Sequence, residues 1–232
     1  MELYLILFFL AGLVAMDTTS GPQVLISEPI VSCSLLGLLF GNIETGVTLG
    51  IFFQLLWIGY LPLGAVHFAE TNMGAFISAA SVLIASELFS FDKLYLNAAI
   101  IPAVVMSVII GVTGLKFTIY ERKINSRHID KIYYEDTHIS GRIITSNHFS
   151  GIGLAFFKGV LLAAIFIPAG TALCSLIVFF PQIIVKIMSF SAPMLWGAVT
   201  AAAVFHHWQK GKKAGIIIGA AGGLTWVTIL AV

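Results

Sequence analysis

Eight blocks of nearly uninterrupted apolar sequence, 3–16, 24–41, 45–66, 73–90, 94–118, 152–180, 183–206 and 214–231, leave this chain few ways to fold. A backbone in lipid must satisfy its own hydrogen bonds, and the blocks lack strict two-residue alternation, so each reads as helix rather than barrel strand. Of 232 residues, 59% are hydrophobic and 10% charged, against about 25% charged in a typical soluble domain. The expectation is an all-α, polytopic integral membrane protein: one membrane domain over 1–232 with about six to eight hydrophobic helices. Two blocks are interrupted, 24–41 by Glu28-Pro29 and 45–66 by Leu61-Pro62-Leu63-Gly64. Both read as broken or re-entrant segments packed inside protein, the kind that often frames a substrate site.

Charge is distributed unevenly. Residues 1–92 hold no Lys or Arg, yet carry Asp17, Glu28, Glu44, Glu70 and other acids; every positive side chain lies from Lys93 onward. Residues 121–150 form the one long hydrophilic connection, with Arg122, Lys123, Arg127, Lys131 and Arg142, and the positive-inside rule makes it a cytoplasmic loop. Lys210, Lys212 and Lys213 follow after two further crossings and fall on the same side, which sends Val232 outward. The side of the N-terminus stays open, because block 24–41 either crosses or re-enters. The first block lacks a basic start and a small-residue cleavage site, so it reads as a retained helix rather than a signal peptide. With a net charge of +1 there is no bias toward a nucleic-acid partner.

Polar groups in hydrocarbon cost about 2.5–3.5 kcal/mol for a central charge, so each is a functional candidate by default. Six stand out in the first 75 residues: Asp17, Glu28, Gln54, His67, Glu70 and Asn72. Asp17 equally suits a cap or a polar loop. Glu28 sits at a helix break, where water contact competes with a substrate role. Gln54, between Phe53 and Leu55, needs partners that lipid cannot supply, either a ligand or a neighbouring helix. His67, Glu70 and Asn72 follow the Pro/Gly break and could converge on a polyhydroxylated ligand. Trp57 and Tyr60 suit interfacial or internal packing better than stacking on a sugar ring.

Other polar residues read as structural. Lys158 and Lys186 lie near block ends and are expected to snorkel. Cys33 and Cys174 lie in apolar runs as small hydrophobes. His206 and His207 project differently from a helix, so no metal site is expected. Four-residue glycine spacings at Gly37 and Gly41, Gly46 and Gly50, and from Gly211 to Gly223 suit close helix packing. No phosphate loop, nucleophile elbow or paired-carboxylate signature marks a self-contained enzyme, and no cofactor is implied.

Pro29, Leu36-Gly37, Gly41, Gly46, Gly50, Gln54-Leu55, Gly59, Gly64-Ala65 and Glu70 together resemble the IIC membrane subunit of the mannose/fructose/sorbose-type sugar phosphotransferase system. Members of that family show a Pro-Leu start, spaced glycines with an acidic residue, a Gly-x-x-x-Glu/Gln-Leu helix, a Gly-Ala turn and a further acid. The likeness covers about a third of the chain. Asn42 stands where the family has an acid, and Ala69-Glu70 where it has Pro-Asp. The resemblance implies a sugar-translocating subunit in the bacterial inner membrane, multi-pass and oligomeric. It implies a IID membrane partner, soluble IIA and IIB phosphotransfer proteins and a hexose substrate. Phosphoryl transfer would belong to IIB, with this chain no enzyme by itself. The residues alone also allow an ion-coupled secondary transporter using Asp17, Glu28 or Glu70, or a scaffold subunit without ligand.

Overall fold

The computed structural model describes residues 2–58, 69–135 and 141–207, and these contain seven α-helices and no strand. They are α1 (Glu2–Thr19), α2 (Pro29–Leu39), α3 (Ile43–Trp57), α4 (Thr71–Phe89), α5 (Lys93–Glu135), α6 (Gly141–Ser175) and α7 (Gln182–His207), with a 3-10 turn at Leu176–Phe179. Four segments are long and apolar enough to cross a membrane: Thr71–Phe89, Lys93–Arg127, Ile144–Phe179 and Gln182–Ala203. The chain is an all-α polytopic membrane protein, as its apolar blocks require. Block 214–231, the Lys210–Lys213 cluster, Tyr60, His67 and the glycines from Gly211 onward lie outside the described residues.

Among the described residues both interrupted blocks yield short helices; the break at Leu61-Pro62-Leu63-Gly64 lies outside them. At about 1.5 Å per residue, the 11 residues of α2 and the 15 of α3 fall short of the ~30 Å hydrocarbon core. They fold back on each other as an antiparallel hairpin. Glu28-Pro29 starts α2, with Pro29 where its missing N–H costs nothing. Gly41, at φ 65, ends it: Asn42 N–H reaches Gly37 O at 2.8 Å and Gly41 N–H reaches Leu38 O at 3.2 Å. This double closure needs a left-handed residue, and glycine takes that conformation without penalty. Asn42 then caps α3, its Oδ1 accepting from Thr45 N at 3.1 Å. Gly37 and Gly46 meet where the helices cross; a Cβ on Gly37 would stand 2.8 Å from the Cα of Gly46.

Helix α4 is the centre of the molecule. Thr71 and every residue from Met73 to Ala85 are buried, covered by α1, α2, α3, α5 and α6. Its small side chains (Gly74, Ala75, Ser78, Ala79, Ala80, Ser81) let those neighbours come close, as van der Waals packing in membranes demands. A short turn through Ser90 and Asp92 leads into α5, with Asp92 Oδ1 accepting from Tyr95 N at 3.0 Å.

The hydrophilic stretch 121–150, expected as a loop, is helical in its described residues. Helix α5 runs on to Glu135 and α6 starts at Gly141, so both continue well beyond their apolar portions. The reason is local: no Gly or Pro occurs between Leu115 and Gly141, and Glu, Arg, Lys and Ile sustain a helix once it leaves lipid. The two helices pack antiparallel, Gly114 beside Leu162, Thr118 beside Lys158 and Gly151 beside Asn125.

Candidate functional site

Of the six sequence candidates, His67 lies outside the described residues, and Asp17, Glu28, Gln54 and Glu70 fall in separate polar clusters. Asp17, buried at the end of α1, accepts from Val24 N at 2.6 Å through Oδ1 and from Ser27 N at 3.0 Å through Oδ2. Both carboxylate oxygens thus hold the loop into α2, in which Gln23 (φ 52) and Leu25 (φ 68) are left-handed. Such conformations persist only where surrounding bonds over-determine them, and Asp17 supplies those bonds.

Glu28 and Gln54 meet at the open end of the hairpin. Gln54 Nε2 donates to Glu28 Oε2 at 2.7 Å, and Gln54 Oε1 accepts from Ile30 N at 3.2 Å. Helix starts leave several amides without intrahelical partners, and here a side chain of α3 caps one on α2. The partners that Gln54 needs are therefore present within the protein. Both side chains remain half-buried, so neither is sealed from a ligand.

Glu70 anchors a buried cluster. It immediately precedes α4, but its carboxylate does not cap that helix. It turns instead toward α5 and α6, where Oε1 receives Lys158 Nζ at 2.6 Å and the hydroxyl of Thr118. Lys158 Nζ also donates to Thr118 Oγ1 at 3.0 Å and pairs with Glu121 Oε2 at 3.0 Å, in charge though not in hydrogen-bond direction. Glu70 is 5% exposed, Lys158 6% and Glu121 8%, so this is an interior ion cluster. Lys158 does not snorkel. The block pattern placed a helix start near 152, but α6 begins at Gly141, which puts Lys158 deep in the helix, opposite Glu70.

The backbone makes room for Glu70. Its N–H donates to Gly111 O at 3.0 Å, and a Cβ on Gly114 would stand 2.5 Å from Glu70 Cβ. Gly111 and Gly114 form a flat seat on α5 that any side chain at Gly114 would fill. One oxygen of Glu70, Oε2, is buried without a hydrogen-bond partner among the described residues. Asn72, two positions on, is half-buried. Trp57 Nε1 donates to Ser107 Oγ at 2.9 Å, and Ser107 packs on Gly74 in the first turn of α4. The end of the hairpin is thereby pinned beside the start of α4. Thr118, Glu121 and Lys158 were missed as site residues because each comes to Glu70 from a distant part of the chain. The one available signal was a lysine flanked by Phe157 and Gly159 in an apolar run, which requires a countercharge.

Comparison with known proteins gives this geometry a family. The profile of the family described as "PTS system sorbose-specific iic component" matches residues 2–206. The chain belongs to that family. The matched span takes in all six candidates, together with Thr118, Glu121 and Lys158. Among curated relatives, the sorbose-specific EIIC component of Klebsiella pneumoniae is 32% identical over 57 residues, 25% of this chain and 21% of that protein. The sorbose-specific EIIC component of Lacticaseibacillus casei is 28% identical over 60 residues, 26% of this chain and 22% of the relative. The fructose permease IIC component of Bacillus subtilis is 27% identical over 97 residues, 42% of this chain and 32% of the relative. The aligned stretches thus span at most about a third of these relatives' length. As a IIC-family protein with four span-capable helices, the chain is a multi-pass inner-membrane protein. Asn42, where the resemblance expects an acid, caps α3 as an aspartate would, so the hairpin tolerates this departure.

Proposed function

We propose that this chain is the sugar-translocating IIC subunit of a mannose-type phosphotransferase system, coupling hexose uptake to phosphorylation by a IIB partner. The family match over residues 2–206 carries the reading. The substrate class is that of the relatives, which are specific for sorbose and named for fructose. The chain works with a IID membrane subunit, and soluble IIA and IIB proteins bring the phosphoryl group from phosphoenolpyruvate. IIB's phosphohistidine gives up its phosphoryl group to a sugar hydroxyl, while this chain orients that hydroxyl and performs no covalent chemistry.

The sugar site is assigned to the junction between the hairpin and α4. Glu70 and Asn72 contribute from the start of α4, and His67 from the segment before it. Gln54 and Glu28 contribute from the open end of the hairpin, and Asp17 supports the loop beside them. A buried carboxylate oxygen without a partner, Glu70 Oε2, is the kind of acceptor that a sugar hydroxyl satisfies. Extended helical ends bearing Arg122, Lys123 and Arg127 face the cytoplasm by the positive-inside rule and offer IIB a basic approach.

The test is equilibrium binding of labelled fructose, sorbose and mannose to the chain purified with its IID partner. Saturable binding of at least one hexose is expected. Failure of all three to bind the intact complex would point instead to a scaffold subunit.

A further inference from the structure

We infer that Lys158 and Thr118 are positioning residues for Glu70: they fix Oε1 so that Oε2 is presented as the acceptor for a sugar hydroxyl. The inference rests on the reading of Glu70 as a sugar contact and adds how its carboxylate is held. An ionised carboxylate can accept about four hydrogen bonds through its two oxygens. Here the division is uneven. Oε1 takes both Lys158 Nζ, at 2.6 Å, and the Thr118 hydroxyl, whereas Oε2 is buried without a partner among the described residues.

Thr118 has no freedom to do otherwise. Its oxygen accepts from Lys158 at 3.0 Å while its hydrogen goes to Glu70, so the three groups form a closed triangle. Lys158 is held from its far side by Glu121 at 3.0 Å, which keeps the ammonium between the two acids. Gly114 leaves the room this arrangement needs, because a Cβ there would stand 2.5 and 2.8 Å from Glu70 Cβ and Cγ. A pair serving stability alone is best satisfied when both oxygens are engaged. This one leaves the second oxygen buried without a partner among the described residues, a preorganised acceptor for an O–H donor.

The experiment measures concentration-dependent uptake of labelled hexose by vesicles containing the full chain and its IID partner with the soluble relay. Vmax is normalised to folded complex. The variants are Lys158→Met, Thr118→Val and Glu70→Gln, with Leu7→Ala as a core variant away from Glu70. Lys158→Met and Thr118→Val are expected to raise KM at least about tenfold, a loss of about 1.4 kcal/mol in binding. Leu7→Ala lowers the amount of folded complex with KM unchanged. Thr118→Val keeps the side-chain volume, so the inference is still tested if Lys158→Met fails to assemble. If Glu70→Gln raises KM but Thr118→Val and any assembled Lys158→Met do not, the positioning role is overturned and Glu70 keeps its place in the site. If Glu70→Gln transports like the wild type, the sugar-site reading falls and the inference with it.

Discussion

Lys158 is held in the interior by two carboxylates, and removing it strands both. Breaking a buried pair by deleting one partner costs about 3–5 kcal/mol, since the remaining charge stays desolvated. Lys158→Met should therefore lower the thermal unfolding midpoint in detergent far more than Lys186→Met, which removes no ion pair found among the described residues. Equal midpoints for the two variants would show that the cluster is not buried as described. Gln54→Ala uncaps Ile30 and leaves Glu28 without its 2.7 Å donor. It should cost about 1–3 kcal/mol, seen as a lower unfolding midpoint, and abolish hexose binding while the complex stays assembled. Unchanged binding would remove Gln54 from the site. At this scale the sequence marked Asp17, Glu28, Gln54 and Glu70 as costly polar groups, and each proves to be engaged. It could not supply their partners. Glu70 and Lys158 stand 88 positions apart, and only the packing of α4 against α5 and α6 joins them.

The helical elements were legible where breakers punctuate the chain. Glu28-Pro29 and Gly41-Asn42 delimit α2 by the chemistry of an N-terminal proline and a left-handed glycine, and both helices of the hairpin come out too short to cross. Polarity misled at 121–150, since the chain has no Gly or Pro from 116 to 140 and a hydrophilic stretch without such breakers leaves lipid without leaving the helix. On α5, Gly111, Gly114, Thr118 and Glu121 are buried along one stripe, with Tyr120, Lys123 and Arg127 exposed between or beyond them. Single cysteines at Tyr120, Lys123 and Arg127 should therefore react rapidly with a membrane-impermeant maleimide, and one at Glu121 slowly. The native Cys33 and Cys174 are fully buried and add little background. Uniform labelling through this stretch would contradict the continuous helix.

Across the described residues, α4 forms the apolar centre, with the Glu28–Gln54 pair on the short hairpin and the Glu70–Lys158 ion cluster on α5 and α6 set against it. The chain belongs to the sorbose-type IIC family, and the proposed coupling makes uptake depend on phosphoenolpyruvate rather than an ion gradient. The decisive measurement is uptake of labelled hexose by vesicles bearing this chain and its IID partner, with and without phosphoenolpyruvate and the soluble IIA and IIB proteins. The expected result is phosphorylated sugar inside the vesicles only with the full relay. Accumulation of unmodified sugar driven by a proton or Na⁺ gradient would contradict it and make the protein an ion-coupled carrier.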